Sequence, residues 1–530
     1  MKILIADSID EIGIQLISQE SEFEVDVNTG LSPEDLRNCI GDYDGLIIRS
    51  STRVTGDILA AGAGRLKVVA RAGIGLDNVD ITAATRHGIV VMNTPEGNTV
   101  TTAEHTISMM MALTRNIPRG TMTLKAGQWE KKNLQGREVY QKTLGVIGYG
   151  KIGAIVADRA RRFQMRVIIA DPNIPREAIE NEGHEHVSMD DLLRRSDFIT
   201  VHVPKLKQTL RLLDKKAFAK MKDGVMVINC ARGGIINETD LQEALLSGKV
   251  AGAALDVFET EPPGDSPLFR MDNVIATPHL GASTREAQMN VSEAAARQVI
   301  EYLKNDTIIN AVNVPAVSGE VLAKLEPFTT LADRMGSLLA QLATRSPSEV
   351  IIEYQGDFQG LALEPVTVAA VKGFLAPFVK DTVNSVNALG MASSRGIKIT
   401  TRSDETLTEY TILITITVVT GAGSHTVAGT IFGRREPRII KINDFRLEMI
   451  PTPGHFAIIH NLDQPGAIGS IGITLGKHDV NIERMQVGQK GDNTRNIIFL
   501  RTGSEIPPTA LNDLQSLPVV KDITLFSLDD

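Results

Sequence analysis

Short apolar runs alternate with segments of helical periodicity from Lys2 to Val91. The apolar runs are Ile3–Ile5, Gly45–Ile48, Leu66–Ala70 and Ile89–Val91. Each run is about the length of one buried strand, and each is followed by a polar-faced segment long enough to cross back over a sheet. This alternation is typical of a parallel sheet with crossover helices.

A glycine-rich stretch follows the next apolar run, which begins at Thr143. Gly148, Gly150 and Gly153 stand at the G-x-G-x-x-G spacing, and a helix is predicted from Lys151 to Phe163. At this spacing the first glycine permits a tight turn, the second lets backbone approach a pyrophosphate, and the third lets the helix pack closely on the strand. The stretch predicts a dinucleotide site. A structural turn is the alternative, because glycine-rich turns are common.

A second predicted strand, Arg166–Ala170, ends at Asp171, which lies eighteen residues beyond Gly153. A carboxylate at this position would accept hydrogen bonds from the ribose hydroxyls and repel a 2′-phosphate. The pattern therefore favours NAD over NADP. A surface aspartate is the alternative interpretation.

The pattern around this motif predicts one domain inserted in another. Thr99 to Ala126 reads as one long helix, and Ser283 to Lys304 as a helix that returns across a cleft. Four more strands are predicted between them: Asp197–Val201, Gly224–Asn229, Val250–Leu255 and Asn273–Ala276. We expect an α/β fold in which a Rossmann domain of residues 98–282 is inserted in a flavodoxin-like substrate domain of residues 1–97 and 283–312, with the substrate site between them.

The pattern changes after this part of the chain. Val321 to Thr344 is helical, whereas Thr408–Val419 and Ser424–Phe432 are long β-branched runs of the kind found in antiparallel sheets. We expect an α+β unit over residues 313–450. From a boundary near Pro451, residues 451–530 read β-α-β-β-α-β, which is the ferredoxin-like order.

Composition narrows the range of functions. The 530 residues are 42% hydrophobic and 22% charged, with a formal charge of −9, so we expect no basic face for nucleic acid. No apolar stretch approaches the ~20 residues of a membrane span, and Met1 leads straight into a strand pattern without a signal peptide. Cys39 and Cys230 are the only cysteines, so neither a disulfide framework nor a metal site is expected. The predicted location is the cytoplasm.

Three residues beyond the cofactor motif have side chains suited to hydride transfer from a carbinol. His279 is a candidate base, a neighbouring Glu261 would orient its imidazole, and Arg232 matches a substrate carboxylate. Each residue follows a predicted strand or stands in a connecting loop. From the residues alone, His279 is as often a packed or surface histidine, Glu261 a solvated loop charge and Arg232 a helix cap.

Four segments closely resemble the D-isomer-specific 2-hydroxyacid dehydrogenases: Gly148–Gly153, Asn229–Ile236, Leu255–Pro262 and Thr277–Ser283. The resemblance implies that Arg232, Glu261 and His279 are the catalytic set. It also implies a set of NAD-binding residues: Gly148, Gly150, Lys151, Ile152, Gly153, Asp171, Cys230, Ala231, Arg232, Asp256, His279, Gly281, Ala282 and Ile74. Ile74 is a departure, since relatives often carry threonine there.

Within that family, the segments Arg49–Thr52, Arg71–Asp80 and Asn93–Asn98 are most similar to members that oxidise 3-phosphoglycerate at the entry to serine synthesis. The similarity implies substrate contacts from Arg49, Ser50, Gly73 and Asn98, and Lys131 or Lys132 is a candidate to reach a phosphate across a subunit boundary. One alternative is a member that reduces hydroxypyruvate, glyoxylate or 2-oxoglutarate. Another is an NAD-sensing protein similar to the co-repressors of this superfamily.

The rest of the chain also resembles known modules. The middle unit is similar to the intervening domain of long members of the family, and the tail is similar to an ACT domain. The ACT pattern covers His460–Gly466 and Val480–Ile482. It implies that Asn461, Asp463 and Asn481 hold an L-serine effector at a dimer interface, in a homodimer or homotetramer. The alternative is an ACT domain that only oligomerises.

Overall fold

The computed structural model describes residues 1–314, 319–343, 346–379, 383–406, 409–433, 435–489 and 495–528. Thr344 and Thr408, which bound two of the predicted elements, lie outside the described residues.

The first sheet is built from five short strands and the helices that connect them. The strands are β1 (Lys2–Ile5), β2 (Glu24–Val27), β3 (Gly45–Ile48), β4 (Val68–Arg71) and β5 (Val90–Asn93); the helices are α1 (Glu11–Ser18), α2 (Pro33–Cys39), α3 (Gly56–Gly62) and α4 (Ile81–Arg86). All pairings are parallel, in the order β2-β1-β3-β4-β5. This is the flavodoxin-like order, as predicted. Apolar residues bury both faces of the sheet.

The second sheet has seven parallel strands. Its elements follow α5 (Thr99–Thr114) and α6 (Ile117–Lys125): β6 (Thr143–Ile147), α7 (Lys151–Arg162), β7 (Arg166–Ala170), α8 (Arg176–Asn181), β8 (Glu185–His186), α9 (Met189–Arg195), β9 (Phe198–Val201), α10 (Lys215–Lys220), β10 (Val225–Asn229), α11 (Glu238–Leu246), β11 (Val250–Leu255) and β12 (Val274–Ala276). The order is β12-β11-β10-β9-β6-β7-β8, which is Rossmann-like with the glycine motif after the interior strand β6.

One long helix, α12 (Arg285–Asn305), carries the chain back to the first sheet. Val291, Ala295 and Val299 on its inner face join the core beneath that sheet. The chain then pairs Ala311 with Met92 in an antiparallel bridge. We call the part of the chain built on the first sheet the first lobe and the part built on the second sheet the second lobe. The first lobe is therefore completed by residues that follow the second lobe in the chain.

The prediction of a single helix from Thr99 to Ala126 is wrong. The chain breaks between α5 and α6 at Asn116, which adopts a left-handed φ of 52°. Pro118 lies in the first turn of α6, where its missing N–H costs no hydrogen bond. The apolar spacing continues across the break, so periodicity alone did not reveal it.

The third sheet joins the middle unit and the tail. The middle unit contributes α13 (Gly319–Leu342), β13 (Pro347–Gly356), α14 (Glu364–Leu375), α15 (Ala388–Ser394), β14 (Lys398–Asp404), β15 (Ile412–Thr420), β16 (Gly423–Phe432), β17 (Glu436–Ile442) and β18 (Phe445–Met449); the tail contributes β19 (Gly454–Leu462), α16 (Ala467–Lys477), β20 (Ile482–Gln489), β21 (Arg495–Thr502), α17 (Pro508–Gln515) and β22 (Val520–Leu528). The order is β14-β13-β15-β16-β17-β18-β20-β21-β19-β22. The four tail strands have the ferredoxin-like arrangement that the sequence predicts.

A shared core connects these two units. Phe456, Phe499 and Phe526 of the tail belong to the same apolar cluster as the inner face of α13. The Gln341 side chain on α13 donates to the Ser527 carbonyl at 2.9 Å and accepts from the Ser527 amide at 3.0 Å. The tail sheet is therefore covered by a helix of the preceding unit. Over the described ranges, no helix is long and apolar enough to cross a membrane.

Candidate active site

The glycine loop after β6 has the geometry of a phosphate cradle. Gly148 has a φ of 92°, and a Cβ there would overlap the carbonyl of His202. Gly150 has open space where a Cβ would stand, whereas Gly153 lies against the carbonyl oxygen of Gly148. No side chain caps the N-terminus of α7, so its first N–H groups remain open to an anion. These positions fit the pyrophosphate of a dinucleotide.

Asp171 lies at the end of β7, beside the glycine loop. Its Oδ2 accepts from the Tyr149 amide at 2.7 Å, and its Oδ1 accepts from the Asn173 amide at 2.8 Å. Each carboxylate oxygen has a second lone pair for a ribose hydroxyl. Asp171 therefore fixes the loop and also presents the negative charge that would disfavour a 2′-phosphate.

His279 and Glu261 form a hydrogen-bonded pair, with 2.8 Å between Nδ1 and Oε2. The other oxygen of Glu261, Oε1, accepts from the Phe258 amide at 3.1 Å. Burial by itself would raise the pKa of Glu261, but the hydrogen bond from His279, its charge and the Phe258 amide bring the pKa below its ordinary value. The ionised carboxylate can only accept, so the shared proton belongs to Nδ1 and leaves Nε2 free to take a proton.

Asp256 holds the loop that carries His279. Its side chain is fully buried, and it accepts from the Leu280 amide at 2.7 Å and the Gly281 amide at 2.8 Å. The backbone carbonyl of Asp256 also accepts from the His279 amide at 2.9 Å. Asp256 therefore holds the backbone around His279, and this backbone sets the position of the imidazole.

The other residues implied for NAD lie in loops and at the start of a helix in the two lobes. Cys230 and Ala231 follow β10, and burial raises the pKa of the Cys230 thiol to about 12, so the thiol stays neutral. Ala282 precedes α12, and Ile74 lies in the Gly-rich loop of the first lobe. Lys151 forms an ion pair with Glu96 at 2.7 Å that links the glycine loop to the first lobe. Ile152 is half-buried behind it.

Arg232 crosses the cleft between the two lobes. Its Nε donates to Asp77 Oδ2 at 3.1 Å, and a Cβ at Gly75 would overlap its guanidinium group. The glycine at position 75 is therefore needed to let this cation reach the first lobe. This contact places Arg232 against the Gly-rich loop after β4.

Arg71, which ends β4, is a candidate binding residue that was not predicted from the sequence. Its guanidinium group lies against Gly73, and its buried Nε makes no hydrogen bond. Burial, together with the charges of Arg232 and Arg49, lowers the pKa of Arg71 to about 10. A half-buried cation with an unpaired N–H is a binding group for an anion. Its position at the carboxyl end of a parallel strand was the available signal.

The predicted substrate residues follow strands β3 and β4 of the first sheet or begin α5. Arg49 is close enough to Arg71 for its positive charge to lower the pKa of Arg71. The Nη1 atom of Arg49 donates to the Ser8 carbonyl at 3.0 Å. Ser50 is exposed at the end of β3. Asn98, at the N-terminus of α5, is buried with an Oδ1 that has no partner. Both groups are available to a small polar ligand.

The predicted effector residues do not come together within one chain. Asn461 lies near the end of β19 and Asp463 just beyond that strand, whereas Asn481 precedes β20. Both strands are antiparallel to β21, which pairs Asn461 with Asn496 and Ile482 with Thr502. Six residues of β21 separate these pairs, or about 20 Å at ~3.4 Å per residue. One ligand cannot touch both ends of the sheet in the same subunit.

Among the described residues, no group of three or more His, Cys, Asp or Glu side chains could hold a metal ion.

Comparison with known proteins assigns the chain to a family. Residues 107–281 match the NAD-binding domain of D-isomer specific 2-hydroxyacid dehydrogenases, residues 324–443 the D-3-phosphoglycerate dehydrogenase intervening domain, and residues 455–519 the ACT domain. NAD is therefore the cofactor that the second lobe binds.

Full-length relatives and solved structures agree with this assignment. The chain is 41% identical to D-3-phosphoglycerate dehydrogenase of Synechocystis sp., over 98% of this chain and 94% of that protein. It is also 41% identical to the Archaeoglobus fulgidus protein of the same name, over the whole of both chains. The NAD complex of an NAD-dependent formate dehydrogenase from Staphylococcus aureus is 28% identical, with a TM-score of 0.53, and covers 60% of this chain and 100% of its own. The chain therefore belongs to the D-3-phosphoglycerate dehydrogenase family.

Proposed function

We propose that the protein oxidises 3-phosphoglycerate to 3-phosphohydroxypyruvate with NAD, the first step of L-serine biosynthesis. The observation that carries this proposal is the convergence of Arg49, Arg71 and Arg232. Arg232 is followed by Gly233, which packs against the carbonyl of Phe258, the residue whose amide donates to Glu261. A substrate with a carboxylate at one end and a phosphate at the other needs cations at both ends of the reacting carbon. A 2-hydroxyacid with no second anionic group, such as glycerate, needs them at one end only.

Proton removal is assigned to His279. Bound NAD supplies the acceptor for the hydride that leaves C2 of the substrate. His279 takes the hydroxyl proton on Nε2, because Nδ1 already donates to Glu261. The Glu261 carboxylate then faces an imidazolium and stabilises its charge. The pair therefore holds both the orientation and the tautomer that the reaction requires.

The three arginines divide the recognition of the anionic ends. Arg232 comes from the same side of the cleft as His279, so it is assigned to the carboxylate next to the reacting carbon. Arg71 and Arg49 come from the first lobe and are assigned to the phosphate, and Ser50, Gly73 and Asn98 are assigned to the same substrate. The unpaired Nε of Arg71 and Oδ1 of Asn98 are the polar atoms that a ligand would satisfy.

The test is the steady-state rate of NADH formation at alkaline pH, with 3-phosphoglycerate compared with glycerate. We expect kcat/KM for 3-phosphoglycerate to be higher by about 100-fold or more, since a buried charge-assisted contact is lost with the phosphate. Equal values would reject the proposal and favour a reductase of hydroxypyruvate, glyoxylate or 2-oxoglutarate. Absence of turnover with every 2-hydroxyacid, together with tight NADH binding, would favour a co-repressor-like role.

We also propose that L-serine binds between the ACT domains of two subunits. Asn461 and Asp463 of one subunit would meet Asn481 of the other, because these residues lie at opposite ends of the tail sheet within one chain. The exposed Asp463 suits an ammonium group, and the N-terminus of α16, which no side chain caps, suits a carboxylate. If millimolar serine changes neither the rate nor the thermal stability, and Asp463→Ala has no effect, this proposal is wrong.

We also propose that the protein is a homodimer or homotetramer. The second contact between subunits is assigned to residues 117–129, which contain α6 and are called the arm. This arm exposes four large apolar side chains: Ile117, Met122, Leu124 and Trp129, the last 82% exposed. Pairing of two such arms would bring Lys131 or Lys132 of one subunit towards the phosphate of the other. Light scattering that gives a monomer, in the presence of NAD, would reject this assignment.

We also propose a cytoplasmic location, where NAD and phosphorylated acids are available together.

A further inference from the structure

The loop that carries His279 is held by one carboxylate. Asp256 Oδ1 accepts from the Leu280 amide at 2.7 Å and from the Thr277 hydroxyl at 2.5 Å, and its Oδ2 accepts from the Gly281 amide at 2.8 Å. The Asp256 carbonyl accepts from the His279 amide at 2.9 Å. Four donors of the Thr277–Gly281 segment therefore bind this one residue.

The loop needs this support because His279 has a strained backbone. Its φ is 54°, in the left-handed region that residues other than glycine adopt at a cost. Such a conformation persists only where neighbouring contacts determine it. Without the bonds to Leu280 and Gly281, relaxation of φ would turn the imidazole away from Glu261.

His105 contacts this carboxylate from outside the loop. It projects from the middle of α5, and its Nε2 lies 3.2 Å from Asp256 Oδ1 and 3.3 Å from the Thr277 hydroxyl oxygen. The Thr277 hydroxyl gives its proton to Asp256, and the carboxylate can only accept. Nε2 therefore carries a proton and donates to both oxygens.

The environment makes this contact a strong one. The Asp256 side chain is 0% exposed and that of His105 is 19% exposed. Burial would raise the pKa of Asp256, yet hydrogen bonds from His105, Thr277 and Leu280 bring it below the ordinary value, so the carboxylate remains charged. A buried charge of this kind orients every donor around it. Loss of one donor redistributes the others.

We propose that His105 is a positioning residue of the active site, which acts through Asp256 to hold the Thr277–Gly281 segment so that His279 meets Glu261. This inference rests on the proposed role of His279 as the base. His105 itself touches neither His279 nor Glu261, and its effect passes through the loop. The helix α5 that carries it also anchors the loop at Thr102, whose hydroxyl donates to the Gly281 carbonyl at 3.0 Å.

The test compares His105→Leu with His105→Gln in the full-length protein. The amide nitrogen of glutamine restores a donor at similar reach, whereas leucine keeps the volume and removes the donor. We expect His105→Leu to lower kcat by about 10- to 100-fold, the size of one lost hydrogen bond to a charge, with the Kd for NADH within about 3-fold of wild type. His105→Gln should recover at least about a third of the wild-type kcat.

His478→Leu is the matched control. His478 forms a similar pair with Asp513, at 2.8 Å, on the surface of the tail. We expect the His478→Leu variant to keep the wild-type kcat, even where its Tm shifts as much as that of His105→Leu.

Two outcomes would overturn the proposal: equal losses of kcat in both His105 variants, or a His105→Leu enzyme with kcat within about 2-fold of wild type. Rates are taken as ratios to wild type on whichever 2-hydroxyacid wild type turns over best. Failure of 3-phosphoglycerate as the substrate is thereby distinguished from failure of the role assigned to His105.

Discussion

Replacement of Glu261 by glutamine tests the most specific geometric feature of the site. The two side chains have the same shape, so the change removes only the charge and one acceptor. In the structure, Glu261 Oε1 accepts from the Phe258 amide and Oε2 accepts from His279 Nδ1. A glutamine that keeps the Phe258 bond must therefore turn its NH₂ group towards His279. That donor favours the tautomer with the proton on Nε2, which cannot take a proton from the substrate.

The magnitude follows from the two possible arrangements. A hydrogen bond to a charged group contributes about 1.5–3 kcal/mol, and each ~1.4 kcal/mol changes a rate about tenfold. Rotating the amide to restore the correct tautomer places NH₂ against the Phe258 N–H, at a cost of about 1–3 kcal/mol. Where a similar change fixes the wrong histidine tautomer in a serine protease, kcat falls about 10⁴-fold. We therefore expect kcat of Glu261→Gln to fall between about 100-fold and about 10⁴-fold.

The assay is NADH formation from 3-phosphoglycerate, with the Kd for NADH measured by its fluorescence. The Kd should stay within about 3-fold of wild type, because the pair acts on a proton rather than on the nucleotide. Glu259→Gln, an exposed carboxylate two residues away, is the control and should retain full activity. A Glu261→Gln enzyme with more than about a third of the wild-type kcat would refute the reasoning about the tautomer.

Four further predictions concern the cation cluster, the cofactor and the pH dependence of stability. Arg71→Leu should raise KM for 3-phosphoglycerate about 10- to 100-fold with little effect on NADH binding; an unchanged KM would remove Arg71 from the substrate site. Gly75→Ala should lower kcat/KM because its methyl group overlaps the Arg232 guanidinium, whereas Gly390→Ala, in open space, should be silent in the same assay. Asp171→Ala should reduce kcat/KM for NAD and reduce the preference over NADP; an unchanged ratio of the two values would contradict the role of the charge. The folded-state pKa of Asp256 lies below its ordinary value of 3.8, so the stability it supplies is complete at neutral pH and is lost as pH falls below about 4. Urea midpoints measured down to about pH 3 should fall less steeply in Asp256→Asn than in wild type.

The sequence by itself determined the elements that depend on local spacing. The three glycines from Gly148 to Gly153 are recognisable because each performs its backbone role within one turn of the chain. The inner strands of the first two sheets are buried on both faces, so their apolar runs are continuous and easy to find. The break at Asn116 escaped detection because apolar spacing does not report φ. The edge strand β2 was not predicted, because its four residues are half-exposed or exposed and form no apolar run.

Only the tertiary structure decided which of the chemically suitable residues work together. His105 lies 151 residues before Asp256, and Arg71 lies 161 residues before Arg232, so no local pattern connects them. Their proximity depends on how α5 packs within the second lobe and on how β4 of the first lobe faces that lobe. Burial of apolar surface in the two cores sets both arrangements. The same holds for Asn461 and Asn481, whose separation follows from strand direction in the tail sheet. Spacing along a chain fixes local geometry, whereas side-chain convergence across a cleft is fixed by how the elements pack.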